Sequence, residues 1–279
     1  MPEISEIPER VYNLFTEGRE ALDEDNLEQF ANNIKDLLRQ RLVTSAAENE
    51  ERTVLRFSNL GKPARQLWYM ANKPEVGEPF TGKQLLKFLY GDIIEQMMVF
   101  LIKEAGFEFQ DEQLEIEVDG IKGHLDGTIN GTVVDVKSAS PQAFIKFKNG
   151  TLFENDSFGY VDQISGYANV VSPDKGAAFI AFDKVHGDIT TLGVGASIAK
   201  DFDVPARINS LREAIAQPEP PERCYEDLED GKSGNRKLGT NCSYCAFKHE
   251  CWPGLRTFIY SNGPRYLTKV EKTPDVPEV

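Results

Sequence analysis

The chain has 279 residues, 40% of them hydrophobic and 27% charged, with 22 Gly, 15 Pro and four Cys. That profile excludes collagen-like, coiled-coil and disordered classes and supplies a sizeable core, enough for one large α/β domain with appendages or two small ones. The net charge of −14 excludes non-specific coating of nucleic acid, but it is spread unevenly: residues 1–30 hold nine acids and two bases, residues 201–230 nine and three, and residues 231–272 eight Lys or Arg against two acids. Nucleic-acid affinity follows local fields more than the total, so a confined DNA groove stays open.

No stretch reaches the roughly 18 uncharged apolar residues that span a bilayer, and MPEISEIPER lacks the layout of a signal peptide, so a soluble, cytoplasmic chain with no membrane partner is expected. Residues 8–42 carry helical periodicity (Val11, Leu14, Phe15; Leu27, Phe30, Ile34, Leu37, Leu38, Leu42), which predicts two helices, and the polar run Thr44–Arg52 reads as a linker. A helix bearing Arg65, Trp68 and Tyr69 starts near Ser58 or Pro63 and stops before Lys73-Pro74. From Lys83 to Ala105 a long helix is apolar nearly all round, which predicts burial. The period then changes to two: Leu114, Ile116 and Val118 alternate with acids, and the runs Ile121–Ile129 and Thr132–Lys137 follow as strands. Beyond a Lys- and Phe-rich loop (143–153), Phe158–Val170 reads as a helix, Ala177–Phe182 and Ile189–Val194 as strands, and 201–216 as a helix. Gln217-Pro-Glu-Pro-Pro221 marks a boundary before the Cys region. The expected division is thus 1–57, a helical region; 58–216, a core; and 217–279, a Cys-rich segment.

Asn130-Gly131 between two alternating runs is the strongest short-range signal for a two-residue type I′ hairpin. If Ile129 pairs with Thr132, Asp126 lies opposite Asp135 and His124 opposite Lys137, all on one face. Opposed residues have Cβ atoms about 5 Å apart, and like charges so placed repel. A Mg²⁺ or Mn²⁺ ion would offset that repulsion, since such ions take one or two carboxylates with water and phosphate oxygens. Glu95 emerges from an apolar helix surface and would be costly to bury without a partner, which the same ion would provide. The competing reading is a solvated sheet face with His124 and Lys137 as charge partners, and Glu95 as a helix-edge acid. Gln163 and Tyr167 stand one helical turn apart on one face, with Tyr160 in line.

Cys242-x2-Cys245-x5-Cys251 leaves Cys224 as the fourth thiolate of a Zn²⁺ or iron–sulfur site. Lys248, Arg256, Arg265 and Lys269, interleaved with Trp252, Tyr260 and Tyr266, suit a single strand's backbone and bases.

In order and spacing, GDIIE (Gly91–Glu95), GHLD (Gly123–Asp126), DVK (Asp135–Lys137) and QISGY (Gln163–Tyr167) resemble the four motifs of the PD-(D/E)XK nuclease superfamily, in particular its RecB-like exonuclease branch. The resemblance implies an α/β fold with a restriction-endonuclease-like core, a mixed central sheet flanked by helices, joined to a helical N-terminal region and a Cys-rich C-terminal metal-binding segment. It implies Glu95, Asp126 and Asp135 as metal ligands with the Val136 carbonyl, Lys137 as the catalytic lysine, and Gln163 and Tyr167 on the active-site side of their helix. Many members place a His in the first motif, where this chain has Ile94 and Glu95. The run NCSYCAFKHEC resembles the C-terminal cysteines of iron–sulfur nucleases, including the CRISPR-associated exonuclease family, which implies a [4Fe–4S] cluster on Cys224, Cys242, Cys245 and Cys251, with Zn²⁺ as the alternative. Those proteins take their first Cys far upstream; here that neighbourhood, SNLGKPARQLWY, has none.

The expectation is therefore a Mg²⁺- or Mn²⁺-dependent DNA exonuclease, phage or bacterial, acting from free ends of single-stranded DNA in recombination, repair or DNA degradation, with Arg65 and the basic C-terminal region holding the strand. A recombination or helicase partner, a homo-oligomer and, for a phage protein, the host cytoplasm belong to the same expectation. A structure-specific endonuclease and a non-catalytic, cluster-bearing accessory subunit are the alternatives.

Overall fold

The computed structural model describes residues 2–43 and 54–279, so the expected linker Thr44–Arg52 lies outside the described residues. In chain order the elements are α1 (Ile7–Thr16), α2 (Glu24–Val43), α3 (Ala64–Asn72), α4 (Gly82–Glu104), β1 (Phe109–Gln110), β2 (Glu115–Val118), β3 (Ile121–His124), β4 (Gly127–Ile129), β5 (Thr132–Ala139), α5 (Pro141–Lys148), α6 (Tyr160–Val171), β6 (Ala177–Asp183), β7 (Ile189–Val194), α7 (Ala196–Asp201), α8 (Val204–Ala216), β8 (Leu228–Glu229), β9 (Arg236–Lys237), α9 (Thr240–Ser243), α10 (Lys248–Cys251), β10 (Arg256–Tyr260) and β11 (Gly263–Lys269). They form two compact units, one of Met1–Gly61 with Phe80–Ala206, the other of Lys62–Pro79 with Arg207–Val279.

The first unit is α/β, built on a mixed sheet of order β1-β4-β5-β6-β7 flanked by helices. Asn130 and Gly131 both take positive φ, 54° and 73°, as a type I′ turn demands, and they set the register Ile129↔Thr132, Thr128↔Val133, Gly127↔Val134. β5 and β6 are parallel, and the chain between them supplies α5 and α6. Because side chains alternate, Val134 and Val136 of β5 join Ala178 and Ile180 of β6 in a core covered by α1 (Ile7, Val11) and α4 (Ile94, Met98, Val99, Ile102). Asp135 and Lys137 point to the other face, where Phe147 of α5 meets Phe179 of β6 edge-on at 5.4 Å.

The long run Ile121–Ile129 is not one strand. It breaks at Leu125-Asp126, and β3 turns away to pair with β2, bringing His124 opposite Glu115 rather than Lys137. The break has a local cause. Asp126 Oδ2 accepts the Val136 N–H at 2.8 Å, taking the donor that the next ladder step would have used. Helix α4 differs too: its second half is buried, but Leu85, Leu86 and Phe88 are exposed. At 1.5 Å per residue its 23 residues run about 35 Å, whereas the eight residues of β5 span about 26 Å, so the helix overshoots the sheet that would cover it. The expected loop 143–153 opens instead inside a helix: α5 runs from Pro141 to Lys148, with Ser140 Oγ accepting the Ala143 N–H as its cap.

The second unit has an antiparallel sheet of order β10-β11-β9-β8, strands that the sequence reading of the Cys-rich segment did not include. Its division of the chain differs from the sequence-based one, since residues 62–79 belong with the C-terminal part. Trp68 and Tyr69 of α3 pack with Phe247, Trp68 Nε1 donates to the Gln217 carbonyl at 2.8 Å, and Asn72 Nδ2 donates to that of Ile215 at 2.9 Å.

Candidate active site

Four of the residues singled out by sequence meet at the open end of β4 and β5. Asp135, buried in mid-strand, has Oδ2 2.6 Å from Lys137 Nζ. The two form a close ion pair, and among the described residues no other group hydrogen-bonds to that oxygen. Burial works against a charged lysine, but Asp135 and Asp126, with Tyr160, outweigh it and hold the Lys137 ammonium above its ordinary range. The ammonium also stands 4.9 Å from the centre of the Tyr160 ring.

The carboxylates repel one another in the same space. Burial first, then Asp135, pushes Asp126 up to about 7 against the pull of Lys137 and the Val136 N–H. Burial, then Asp126 and Asp135, with Asp92 adding, pushes Glu95 up to about 9 despite Lys137. These acids are half-buried and still border an open groove of about 580 Å³ whose walls include Asn33, Gln40 and Arg41 of α2 and Gln113. Gln113 Nε2 lies 3.5 Å from Glu95 Oε1, and Arg41 pairs with Asp92.

Tyr167 is buried in α6 and stacked on Phe57 at 5.3 Å. Burial, with Asp135 and Asp126, raises its phenol, opposed by Lys137 and a bond to the His124 backbone. The Gly123 of the GHLD run has a steric reason: a Cβ there would meet Phe57 Cβ at 2.3 Å and Tyr167 Oη at 2.8 Å. Gln163, half-buried, sits one turn before Tyr167. Val136 points its N–H at Asp126; in a strand the carbonyl of the same residue shares that lateral direction, as its assignment to the ligand set requires. His124 is exposed, 3.4 Å from Glu115 Oε2, and stands apart from the four. Tyr160 and Gln113 contribute to the site beyond what the motifs signalled; for Tyr160 the signal was its helical phase with Gln163 and Tyr167.

Among the described residues no group of three or more His, Cys, Asp or Glu side chains is placed so that it could hold a metal ion. The donor set at β5 nonetheless suits a divalent cation: hard carboxylate oxygens, one of them buried with Lys137 as its partner among the described residues, whose mutual repulsion such a charge would relieve.

In the second unit Cys224, Cys242, Cys245 and Cys251 line one cavity with Arg65, Tyr69 and Trp252. Burial pushes the Cys242 thiol up to about 11, and Cys245 and Cys251 add to it. Burial also raises Cys224, opposed by bonds from the backbone of Arg65 and Gln66 in the first turn of α3. Arg65, expected to help hold a DNA strand, is engaged within this unit. Its Nε donates to Cys251 Sγ at 3.2 Å, its Nη1 to the Pro221 carbonyl, and its guanidinium lies over Tyr69. The basic residues nearby are engaged as well: Lys248 is buried against Glu78, Arg256 pairs with Glu278, Arg265 with Asp230, and Lys269 with Glu271. The local excess of positive charge in the sequence is therefore largely neutralised by acids from elsewhere in the unit.

No protein-family model and no curated protein matches the chain. A solved structure described as "Crystal structure of SSO0001" is similar with a TM-score of 0.42 and 18% identity, over 78% of this chain and 93% of that one. Among the described residues no helix is long and apolar enough to cross a membrane.

Proposed function

We propose that the protein is a Mg²⁺- or Mn²⁺-dependent deoxyribonuclease that hydrolyses DNA from free ends. The observation that carries this reading is the convergence of Glu95 and Asp126 on a buried Asp135 whose Oδ2 has only Lys137 for company. Glu95, Asp126 and Asp135, with the Val136 carbonyl, would hold the cation. Once bound, it supplies a positive charge to the phosphate and lowers the pKa of an attacking water.

The side chains of the chain have separate tasks. Lys137 stays an ammonium, because its acidic neighbours favour that form, so it balances charge at the phosphate and orients the water without losing its proton. The Tyr160 ring fixes the ammonium from one side. Asp126 is held in place by the Val136 N–H. Gln163 and Tyr167 line the same side of α6, with Tyr167 immobilised by Phe57. The four thiols are assigned to a [4Fe–4S] cluster, or to Zn²⁺, and the chemistry of the set, soft and shared by one cavity, suits either. Recombination, repair or DNA degradation, a helicase or recombination partner, and self-association complete the proposal.

The test uses 5′- or 3′-labelled linear single- and double-stranded DNA beside a closed circle, with Mg²⁺ or Mn²⁺, repeated with Asp135→Ala and Lys137→Ala. Loss of linear DNA with the circle spared, abolished in both folded variants, is expected. Near-normal cleavage by either variant refutes the assigned site.

A further inference from the structure

The Cys cavity of the second unit is lined by a guanidinium that the DNA-cleaving chemistry leaves unused. In the iron–sulfur nucleases that NCSYCAFKHEC resembles, the first Cys lies in the neighbourhood that here reads SNLGKPARQLWY and holds none. That neighbourhood still reaches the thiols through α3, as a donor of hydrogen bonds in place of a ligand. Arg65 Nε donates to Cys251 Sγ at 3.2 Å, and the backbone N–H groups of Arg65 and Gln66 donate to Cys224. The Trp252 side chain donates to Cys242, and the Phe247 backbone to Cys245. Each of the four sulfurs therefore accepts an N–H.

An N–H donor gains little from a neutral thiol, a weak acceptor, and more from a thiolate, because hydrogen bonds to ionised groups are about twice as strong. Arg65 adds a charge that it does not lose by deprotonation. It is also held still. Nη1 donates to the Pro221 carbonyl and Nη2 to Tyr69 Oη at 3.2 Å, while the guanidinium carbon lies 5.3 Å from the centre of the Tyr69 ring. Tyr69 is in turn stacked on Phe247 at 5.5 Å, with an interplanar angle of 18°. The charge thus stands beside Cys251 in advance of any metal, and little ordering cost is left for the binding step.

We propose that Arg65 is the positioning residue of the thiolate centre, holding Cys251 as a ligand and offsetting the negative charge that four thiolates leave around Zn²⁺ or an iron–sulfur core. The proposal rests on the assignment of the four thiols to such a cofactor and adds to it the residue that orients and tunes the set. Outer hydrogen-bond partners fix the orientation of metal ligands, and hydrogen bonds to sulfur help to set the potential of a cluster. A positive group close to the sulfurs stabilises the reduced, more negative cluster, so its loss lowers the potential.

The experiment uses the full chain purified without oxygen, as wild type, Arg65→Gln and Arg65→Lys, with iron and zinc counted by elemental analysis and folding followed by circular dichroism. Release of metal to a chelator is expected to be about tenfold faster or more in Arg65→Gln. If the metal is iron, the midpoint potential from a titration followed by electron paramagnetic resonance should fall by about 59 mV, a tenfold change in a one-electron equilibrium. If it is zinc, replacement by Co²⁺ should show a shifted sulfur-to-metal charge-transfer band. Arg65→Lys keeps the charge but cannot serve Cys251, Pro221 and Tyr69 at once, so it should fall between wild type and Arg65→Gln. The potential and the band separate this role from a merely structural one, which would lower stability and leave both unchanged. A wild-type potential or band in both variants overturns the proposal, and Arg65→Lys alone decides it if Arg65→Gln does not fold. A wild type that holds neither iron nor zinc removes the cofactor assignment as well, whereas metal-loaded proteins that agree in every readout remove only the role of Arg65.

Discussion

Glu95 offers the sharpest test of the electrostatics, because its carboxyl titrates near 9 in the folded chain against 4.5 in a solvated one, and Asp126 near 7 against 3.8. Between those limits the folded state binds more protons than the unfolded state, so stability is greatest below about pH 4 to 5 for these groups and is lost as pH rises towards 9. One group in this position changes stability by up to about 1.4 kcal/mol per pH unit, hence by as much as about 4 kcal/mol from pH 5 to pH 8. For a chain of this size that corresponds to a fall in Tm of roughly 10 °C. Differential scanning fluorimetry on metal-free protein should record that fall, and Glu95→Gln, which keeps the shape and removes the charge, should flatten most of it and raise Tm at pH 8. Saturating Mn²⁺ should remove the slope as well. Because the ligands must be deprotonated, titration at pH 7 in buffers of different ionisation enthalpy should show release of between one and two protons per cation, about one from Glu95 and about half of one from Asp126. A Tm that is level or rising from pH 5 to 8, or an unchanged slope in Glu95→Gln, would refute the claim that these acids share one desolvated site.

Two further outcomes concern packing and the thiols. Gly123→Ala forces a Cβ into Phe57 and the Tyr167 hydroxyl, so it should cost about 2 to 3 kcal/mol and lower Tm measurably; a neutral substitution would mean that the β3 backbone yields easily. Cys245→Ser should lose bound iron or zinc together with thermal stability, and unchanged metal content by elemental analysis would remove Cys245 from the ligand set.

The hairpin at Asn130-Gly131 was legible in the sequence to the residue, because turn type and register are set by the φ preferences of two adjacent residues and by a period of two, all of them short-range. The same holds for α1, α2 and α6, whose apolar spacing is a property of the helix itself. Where the strand ends was not legible. Asp126 leaves the ladder because its carboxylate captures the Val136 N–H, and that choice sends His124 to Glu115 and frees Asp126 for the site. Nor could periodicity foresee that half of α4 would outrun its sheet, since the pattern records which faces are apolar and not how far the covering layer extends. The C-terminal charges mislead for a similar reason: Lys248 and Glu78, or Arg265 and Asp230, are distant in sequence and meet only through the fold. By itself, then, the sequence determined the α/β class, the local turn and the order of the motif residues, because those follow from neighbours along the chain. Only the tertiary structure decided that Glu95, Asp126, Asp135 and Lys137 share one poorly solvated space and that Arg65 belongs to the thiol cavity, because burial and charge proximity arise from segments brought together across the chain.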